Sequence, residues 1–205
     1  MDSSLVVPAA IVGAYLLGSI PFAVVSSKLF GLADPRSYGS GNPGATNVLR
    51  SGNKKAALFT LLGDGAKGWL AVFLARQYLL PDAVIGLVAI AVFFSHLFPV
   101  FLKFKGGKGV ATAAGVLLAL DWQLGLAVIG VWAAAFAPFR ISSLGSLTAF
   151  AVAPVLAWFW DPGYLWGVGA MSLLLILRHK KNIIALLRGE EKGFRKSAPP
   201  GDSDA

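Results

Sequence analysis

Residues 83–102 read AVIGLVAIAVFFSHLFPVFL, and residues 103–109 follow at once as KFKGGKG. The first segment holds no Asp, Glu, Lys or Arg. At a helical rise of about 1.5 Å per residue it is long enough to cross a hydrocarbon core roughly 30 Å thick. Lipid supplies no hydrogen bonds, so a spanning segment must satisfy its own backbone, and a helix does so within itself. The reading extends outward to six more apolar runs: 5–30, 56–80, 110–120, 122–139, 144–160 and 162–177. None shows the alternation of the roughly ten-residue strands of membrane barrels. The run at 110–120 is short, and its helix is predicted to begin earlier, inside the Gly-rich segment before it. Trp122, Trp158, Trp160, Tyr164 and Trp166 lie near predicted ends, where interfacial aromatics gather. Gly163 and Gly167 have the spacing of a close helix contact. The fold class expected is all-α: a polytopic membrane bundle of seven transmembrane helices.

Composition agrees. Hydrophobic residues make up 56% of the 205 and charged residues 14%, with a mean hydropathy of +0.70, whereas soluble domains hold about 45–50% and about 25%. The chain has no Cys, which excludes a disulfide framework, thiolate catalysis and zinc–thiolate binding. Two His without an HExxH pattern or clustered carboxylates point to no metal and no other cofactor. The opening MDSS carries no basic residue, so the first apolar run is expected to be retained as a helix rather than cleaved as a signal. Residues 1–188 are expected to form a single transmembrane domain and 189–205 a disordered cytoplasmic tail.

With seven spans, alternate connections collect Lys28, Arg36, Arg50, Lys54, Lys55, Lys103, Lys105, Lys108 and Arg140 on one side. Arg178, Lys180, Lys181, Arg188, Lys192, Arg195 and Lys196 fall there too. The other side holds Asp2, Asp82, Asp121 and Asp161, with Arg76 as its nearby base. The positive-inside rule then places the N-terminus outside and the C-terminus in the cytoplasm. Much of the net charge of +8 is accounted for by topology and by attraction to anionic headgroups, about 1 kcal/mol per basic residue. Nucleic acid is not an expected partner, because the basic residues are not interleaved with exposed aromatics. No obligate protein partner is signalled; membrane lipids are.

Three connections on the basic side carry more than turn residues. Residues 39–47, GSGNPGATN, are followed by Arg50. Their glycines permit turns whose N–H groups converge on an anion, Thr46 or Asn47 can cap a short helix, and Arg50 can grip a phosphate with paired hydrogen bonds. The plainer alternative is a flexible capped turn. Residues 103–112, KFKGGKGVAT, interleave lysines with glycines and run into a helix. This is a phosphate cradle or a stop-transfer cluster, and not a Walker A loop, whose spacing it lacks. RISSLGS at 140–146 and RHKKN at 178–182 add hydroxyls and a His179/Asn182 pair on one helix face, with Arg140 and Arg178 read as helix-end residues snorkelling to the interface. Within the spans, Asp64 and Lys67 have the i,i+3 spacing of a buried ion pair, with a cavity wall as the alternative. His96 is read as a helix-packing hydrogen bonder.

These segments, with GSIP at 18–21, resemble the bacterial acyl-phosphate:glycerol-3-phosphate acyltransferases nearly end to end. The resemblance implies a seven-span inner-membrane enzyme, its site on the cytoplasmic side. Such an enzyme moves a fatty acyl group from acyl phosphate to the 1-hydroxyl of glycerol 3-phosphate, giving lysophosphatidate and phosphate for phospholipid synthesis. Both substrates are anions and one carries a fatty chain, which suits basic loops at a membrane edge. By the resemblance, Ser40, Gly41, Asn42, Thr46, Asn47 and Arg50 bind phosphate. Lys105 and Lys108, with the backbone of Gly106 and Gly107, hold the acyl phosphate. Ser143, with Ser142 and Ser146 as rivals, completes a glycerol 3-phosphate pocket with His179 and Asn182. Lys108, His179 and Asn182 are the residues nearest the chemistry, and a substrate phosphate can take the proton. The His-x4-Asp pair of acyl-CoA-dependent relatives is missing: Phe101 and Ile184 stand five residues after His96 and His179. An anion or phosphate transporter is the rival function. It predicts a midplane site and internal repeats, neither of which the sequence displays.

Overall fold

The computed structural model describes residues 3–191 and 193. Among them are ten α-helices, two short 3-10 turns and no strand. The helices are α1 (Ser3–Gly18), α2 (Phe22–Leu29), α3 (Ala45–Leu49), α4 (Lys54–Gln77), α5 (Asp82–Leu97), α6 (Val110–Leu120), α7 (Trp122–Phe139), α8 (Ser142–Trp160), α9 (Leu165–Arg178) and α10 (Lys180–Leu187). Four units are long and apolar enough to cross a membrane: α4, α5 continued to Leu102, α7 and α8. The bent pair α1–α2 makes a fifth, while α6 and the stretch Pro162–Arg178 are apolar but shorter.

Two predicted helices differ from the expectation. The first run is not continuous: α1 ends at Gly18, and the chain turns by 41° before α2. Pro21 offers no N–H and biases Ile20 away from helical backbone. The Ile20 carbonyl, left without a helical partner at the break, instead takes a hydrogen bond from Lys67 Nζ at 2.8 Å. Helix α6 begins at Val110 and does not reach back into the Gly-rich segment, because Gly109 is left-handed at φ +86° and the N–H groups of Gly106 and Gly107 are taken by α5 carbonyls.

Helix α5 is central, packing on α1, α4, α6 and α9, and Val92, Phe93 and Leu97 join Leu117, Leu124, Phe150 and Met171 in the core. Outward residues are as apolar as inward ones: Leu62, Leu126, Val155 and Leu173 are all exposed. A water-soluble fold does not carry such a belt, and a lipid-facing one does. The tight contact in the bundle is α4 on α6, where a Cβ on Gly115 would strike the Gly65 backbone. Gly163, by contrast, lies in a 3-10 turn, so the Gly163/Gly167 spacing is not the packing seam. Trp122, Trp158, Trp160 and Trp166 are exposed as expected of interfacial aromatics, but Tyr164 is buried, with its hydroxyl donating to Asp82 at 2.9 Å. At the same end Arg76 donates to the terminal carbonyls of α6, Ala119 and Leu120.

Asp64 and Lys67 do form the buried i,i+3 pair, at 2.8 Å, and His96 of α5 approaches Asp64 at 3.5 Å. The Phe22 ring lies under the Lys67 ammonium. A small cavity lined by Ser19, Pro43, Lys67, His96, Gly106 and Gly107 separates this cluster from the loops at the opposite end from Tyr164.

Candidate active site

The first loop is organised by Asn47. Its side-chain amide donates to Pro35 and Tyr38 carbonyls at 2.6 and 3.1 Å, and its Oδ1 accepts from the Ser40 N–H at 2.9 Å. The Gly41 N–H goes to Tyr38, the Gly44 N–H to Asn42 and the Asn42 N–H to Ser40 Oγ. These N–H groups therefore close the loop on itself, as the plainer of the two readings has it, rather than converging on an anion. Neither Thr46 nor Asn47 caps α3, since Gly44 holds the cap position with no side-chain bond. Asn47 is a buried scaffold residue. What the loop presents outward is Arg50, which is exposed, the exposed Ser40 and half-buried Asn42 side chains, and Thr46, whose hydroxyl meets Ser142 of α8 at 3.3 Å.

The Gly-rich loop is likewise tied down. Gly106 and Gly107 donate to the carbonyls of Leu97 and His96, both at 3.1 Å, and accept from Arg178. A Cβ on either would collide with His96, so close approach demands glycine at both. Their amides are not a free phosphate cradle, contrary to expectation; they aim the next residue. Lys108 Nζ leaves the loop toward Asn182 Oδ1, at 2.5 Å. Lys105 is exposed, and its side chain has no hydrogen bond or ion pair among the described residues.

Lys108 ends in a chain of polar contacts. Asn182 Nδ2 donates to Glu191 Oε1 at 2.6 Å, and Ser143 Oγ donates to the same oxygen at 2.5 Å. Glu191 thus brings an anionic oxygen to two neutral donors, and the Asn182 amide passes the Lys108 charge on to it. Burial pushes the Lys108 ammonium down to about 8, opposed by Glu191 and assisted by Arg50 and Arg178. His179 is almost fully buried with Nδ1 2.8 Å from the Leu175 carbonyl. That contact assigns the proton to Nδ1 and leaves Nε2 an acceptor. Burial is also the main reason its pKa is lowered to about 4, so the ring is neutral at physiological pH.

Four chain segments therefore meet at one end of the bundle: the loop before Arg50, the loop before Lys108, and the starts of α8 and α10. A sequence profile described as glycerol-3-phosphate acyltransferase matches residues 8–189. The chain belongs to that family. The glycerol-3-phosphate acyltransferase of Dechloromonas aromatica (strain RCB) is 61% identical, the match covering 92% of this chain and 98% of the relative. The chain is also similar to PlsY (YgiH), a crystallised integral membrane glycerol 3-phosphate acyltransferase. Its glycerol 3-phosphate form superposes with a TM-score of 0.87 at 38% identity, covering 92% of this chain and 96% of that one. Its lysophosphatidic acid form gives 0.86 at 37% identity, covering 92% and 95%. The protein is thus a multi-pass membrane protein of the acyltransferase family.

The three rival serines differ in their contacts. Ser143 faces Glu191 and Ser142 faces Thr46. Ser146 donates to the Ser142 carbonyl at 2.8 Å and meets Trp132 Nε1 at 3.3 Å, contacts within α8 and across to α7. Two members of the cluster were missed by sequence reasoning. Arg178 grips loop carbonyls instead of snorkelling. Glu191 falls in the segment assigned to a disordered tail, yet Gly189, left-handed at φ +68°, turns the chain back so that Glu191 reaches Ser143. A Gly after the last apolar turn followed by two acids was the available signal. Lys192, Arg195 and Lys196, and with them most of the predicted tail, lie outside the described residues.

Proposed function

We propose that the protein is a glycerol-3-phosphate acyltransferase that takes its acyl group from acyl phosphate and delivers it to the 1-hydroxyl of glycerol 3-phosphate. Its products are lysophosphatidate and inorganic phosphate. It works from the cytoplasmic face of a bacterial inner membrane as one seven-span domain, N-terminus outside. The observation that carries the reading is the convergence of Arg50, Lys108, Ser143, His179 and Asn182 from separate segments onto one membrane-edge cluster, in a chain whose relatives bear that name.

The chemistry asks little of the protein. The 1-hydroxyl oxygen attacks the acyl carbonyl carbon and forms the ester bond. The carbon–oxygen bond to phosphate breaks, and phosphate leaves with the electron pair and accepts the hydroxyl proton. Phosphate is already a good leaving group, so catalysis consists of holding two anions together and balancing the charge that moves between them. Arg50 holds the phosphate of glycerol 3-phosphate by paired hydrogen bonds, helped by Ser40, Asn42 and Thr46. Lys108, with Lys105 at the rim, neutralises the acyl phosphate. Ser143 and Asn182 orient the glycerol hydroxyls, and His179, neutral with Nε2 open, positions rather than deprotonates.

Purified protein given palmitoyl phosphate and glycerol 3-phosphate should release phosphate and form lysophosphatidate in equal amounts. It should do nothing with palmitoyl-CoA. Equal turnover with the CoA ester would overturn the choice of donor. Cysteines placed at Asp82, Asp121 and Asp161 should react with an impermeant thiol reagent outside intact cells, and one at Lys54 only after lysis; the converse pattern would overturn the topology.

A further inference from the structure

Arg178 ends α9 one residue before His179. Its Nη2 donates to the carbonyls of Gly106 at 3.0 Å and Gly107 at 3.1 Å, and its Nε to Gly107 at 3.3 Å. The guanidinium lies over the Phe98 ring, 5.4 Å from its centroid. Phe98 is anchored in turn by Tyr15, whose hydroxyl donates to its carbonyl at 2.7 Å. An arginine at a helix end ordinarily reaches lipid headgroups or its own helix's last carbonyls. This one reaches across to another segment, and to the two peptides that immediately precede Lys108.

We propose that Arg178 is a positioning residue for the acyl transfer: by bridging the Gly106 and Gly107 carbonyls it fixes the peptide leading into Lys108 and so aims the Lys108 ammonium at Asn182. The inference rests on the acyltransferase reading. The two glycines are held from both sides, their N–H groups by the carbonyls of His96 and Leu97 and their carbonyls by Arg178. Both glycines are buried, so without the guanidinium their carbonyls lose partners where water is scarce, and the loop must shift to recover them. Asn182, the target of Lys108, stands four residues beyond Arg178. One helix junction thus supplies both the clamp and the acceptor, and locks their spacing. A lysine at 178 would keep the charge but not the planar fork that spans two carbonyls and stacks on a ring.

The test uses the full-length protein in detergent micelles, comparing Arg178→Lys and Arg178→Ala with the unmodified chain. A misplacement of about 1 Å at a reacting group costs on the order of a hundredfold in rate. Arg178→Lys should accordingly lose about ten- to a hundredfold in kcat, with KM for glycerol 3-phosphate nearly unchanged. Amide hydrogen exchange at Gly106 and Gly107 should rise, while α4 and α7 keep their protection. Added methylguanidinium should restore turnover to Arg178→Ala, and methylammonium should not. The inference is overturned by unchanged kcat and exchange in Arg178→Lys, by a loss confined to KM, or by exchange rising uniformly through the bundle with no guanidinium rescue. Absence of turnover in the unmodified protein removes the acyltransferase reading instead; the exchange measurement needs no turnover and judges the clamp in either case.

Discussion

Two clusters of buried charge lie at different depths in this bundle. Asp64, Lys67 and His96 are 3%, 2% and 8% exposed, and the partners come from α4, α5 and the α1–α2 break. Removing two ions from water costs several kcal/mol each, and the pair is tolerable only because Lys67 meets both a carboxylate and the Ile20 carbonyl. The cluster of Lys108, Asn182, Ser143 and Glu191 is only partly buried and is assembled from loops and helix ends. Its cations, Lys108 and the nearby Arg50, outnumber its one carboxylate. An ionisable residue in a membrane helix is by default a functional candidate, whereas the proposed function gives the chemistry to the other cluster. In the deep cluster each charge has an internal partner. The loop cluster carries an excess of positive charge, which under the proposed function is met by the anionic substrates.

The largest test of this contrast is Asp64→Ala, which strands Lys67 in the bundle. A loss of about 3–5 kcal/mol is expected, read as a large drop in melting temperature in micelles, with activity per folded molecule retained. Asp64→Leu combined with Lys67→Met should recover most of that stability. If the double variant is folded but inactive, the deep cluster is part of the chemistry and the contrast fails. Lys108→Met should behave oppositely: its melting temperature should hold while kcat/KM falls about 10²–10³-fold, as when a preorganised electrostatic group is removed. Arg50→Lys keeps the charge but not the fork, and an effect of about ten- to a hundredfold in kcat/KM is expected. Activity equal to the unmodified protein would remove Arg50 from phosphate recognition.

The smallest effects are in pH. With Lys108 at about 8, kcat/KM should decline as pH rises through 8, and that limb should vanish in Lys108→Met. His179, at about 4, should give no inflection near neutrality. Its folded pKa lies below its ordinary value near 6.5, so between the two the unfolded chain binds a proton that the folded chain refuses. Its contribution to stability is therefore lost as pH falls from about 6.5 toward 4. A His179→Gln variant should flatten that part of the melting curve against pH. A neutral-pH inflection in rate that disappears in the same variant would make His179 a base rather than a positioning group.

Much of this was legible in advance. The apolar runs and the Asp64/Lys67 spacing depend on local periodicity and on charge along the chain, which sequence displays directly, while the grouping of Arg50, Lys108, Ser143, His179 and Asn182 came from the family resemblance. Hydrogen-bond accounting was not legible. A Gly-rich loop reads as a row of free amides, but whether they are free depends on how the loop folds back on the carbonyls of His96 and Leu97. Asn47 illustrates the same limit, since its donors are spent on Pro35 and Tyr38. The α1–α2 break could have been read from Gly18 and Pro21, but the continuous apolar run outweighed them. Glu191 was lost because composition marks a polar tail without saying which of its residues folds back.

The bond from Lys67 to Ile20 also bears on the order of biogenesis. A ribosome delivers α1 and α2 to the bilayer while Lys67 is still unsynthesised, so the carbonyl at the break must stay hydrated, or be paired temporarily, until α4 arrives. Lys67 likewise enters lipid cheaply only if Asp64, one helical turn ahead of it, goes in alongside. The bent pair α1–α2 is therefore unfinished until residue 67 has been inserted, and a nascent chain stalled short of that point is one that membrane quality control has a physical reason to recognise.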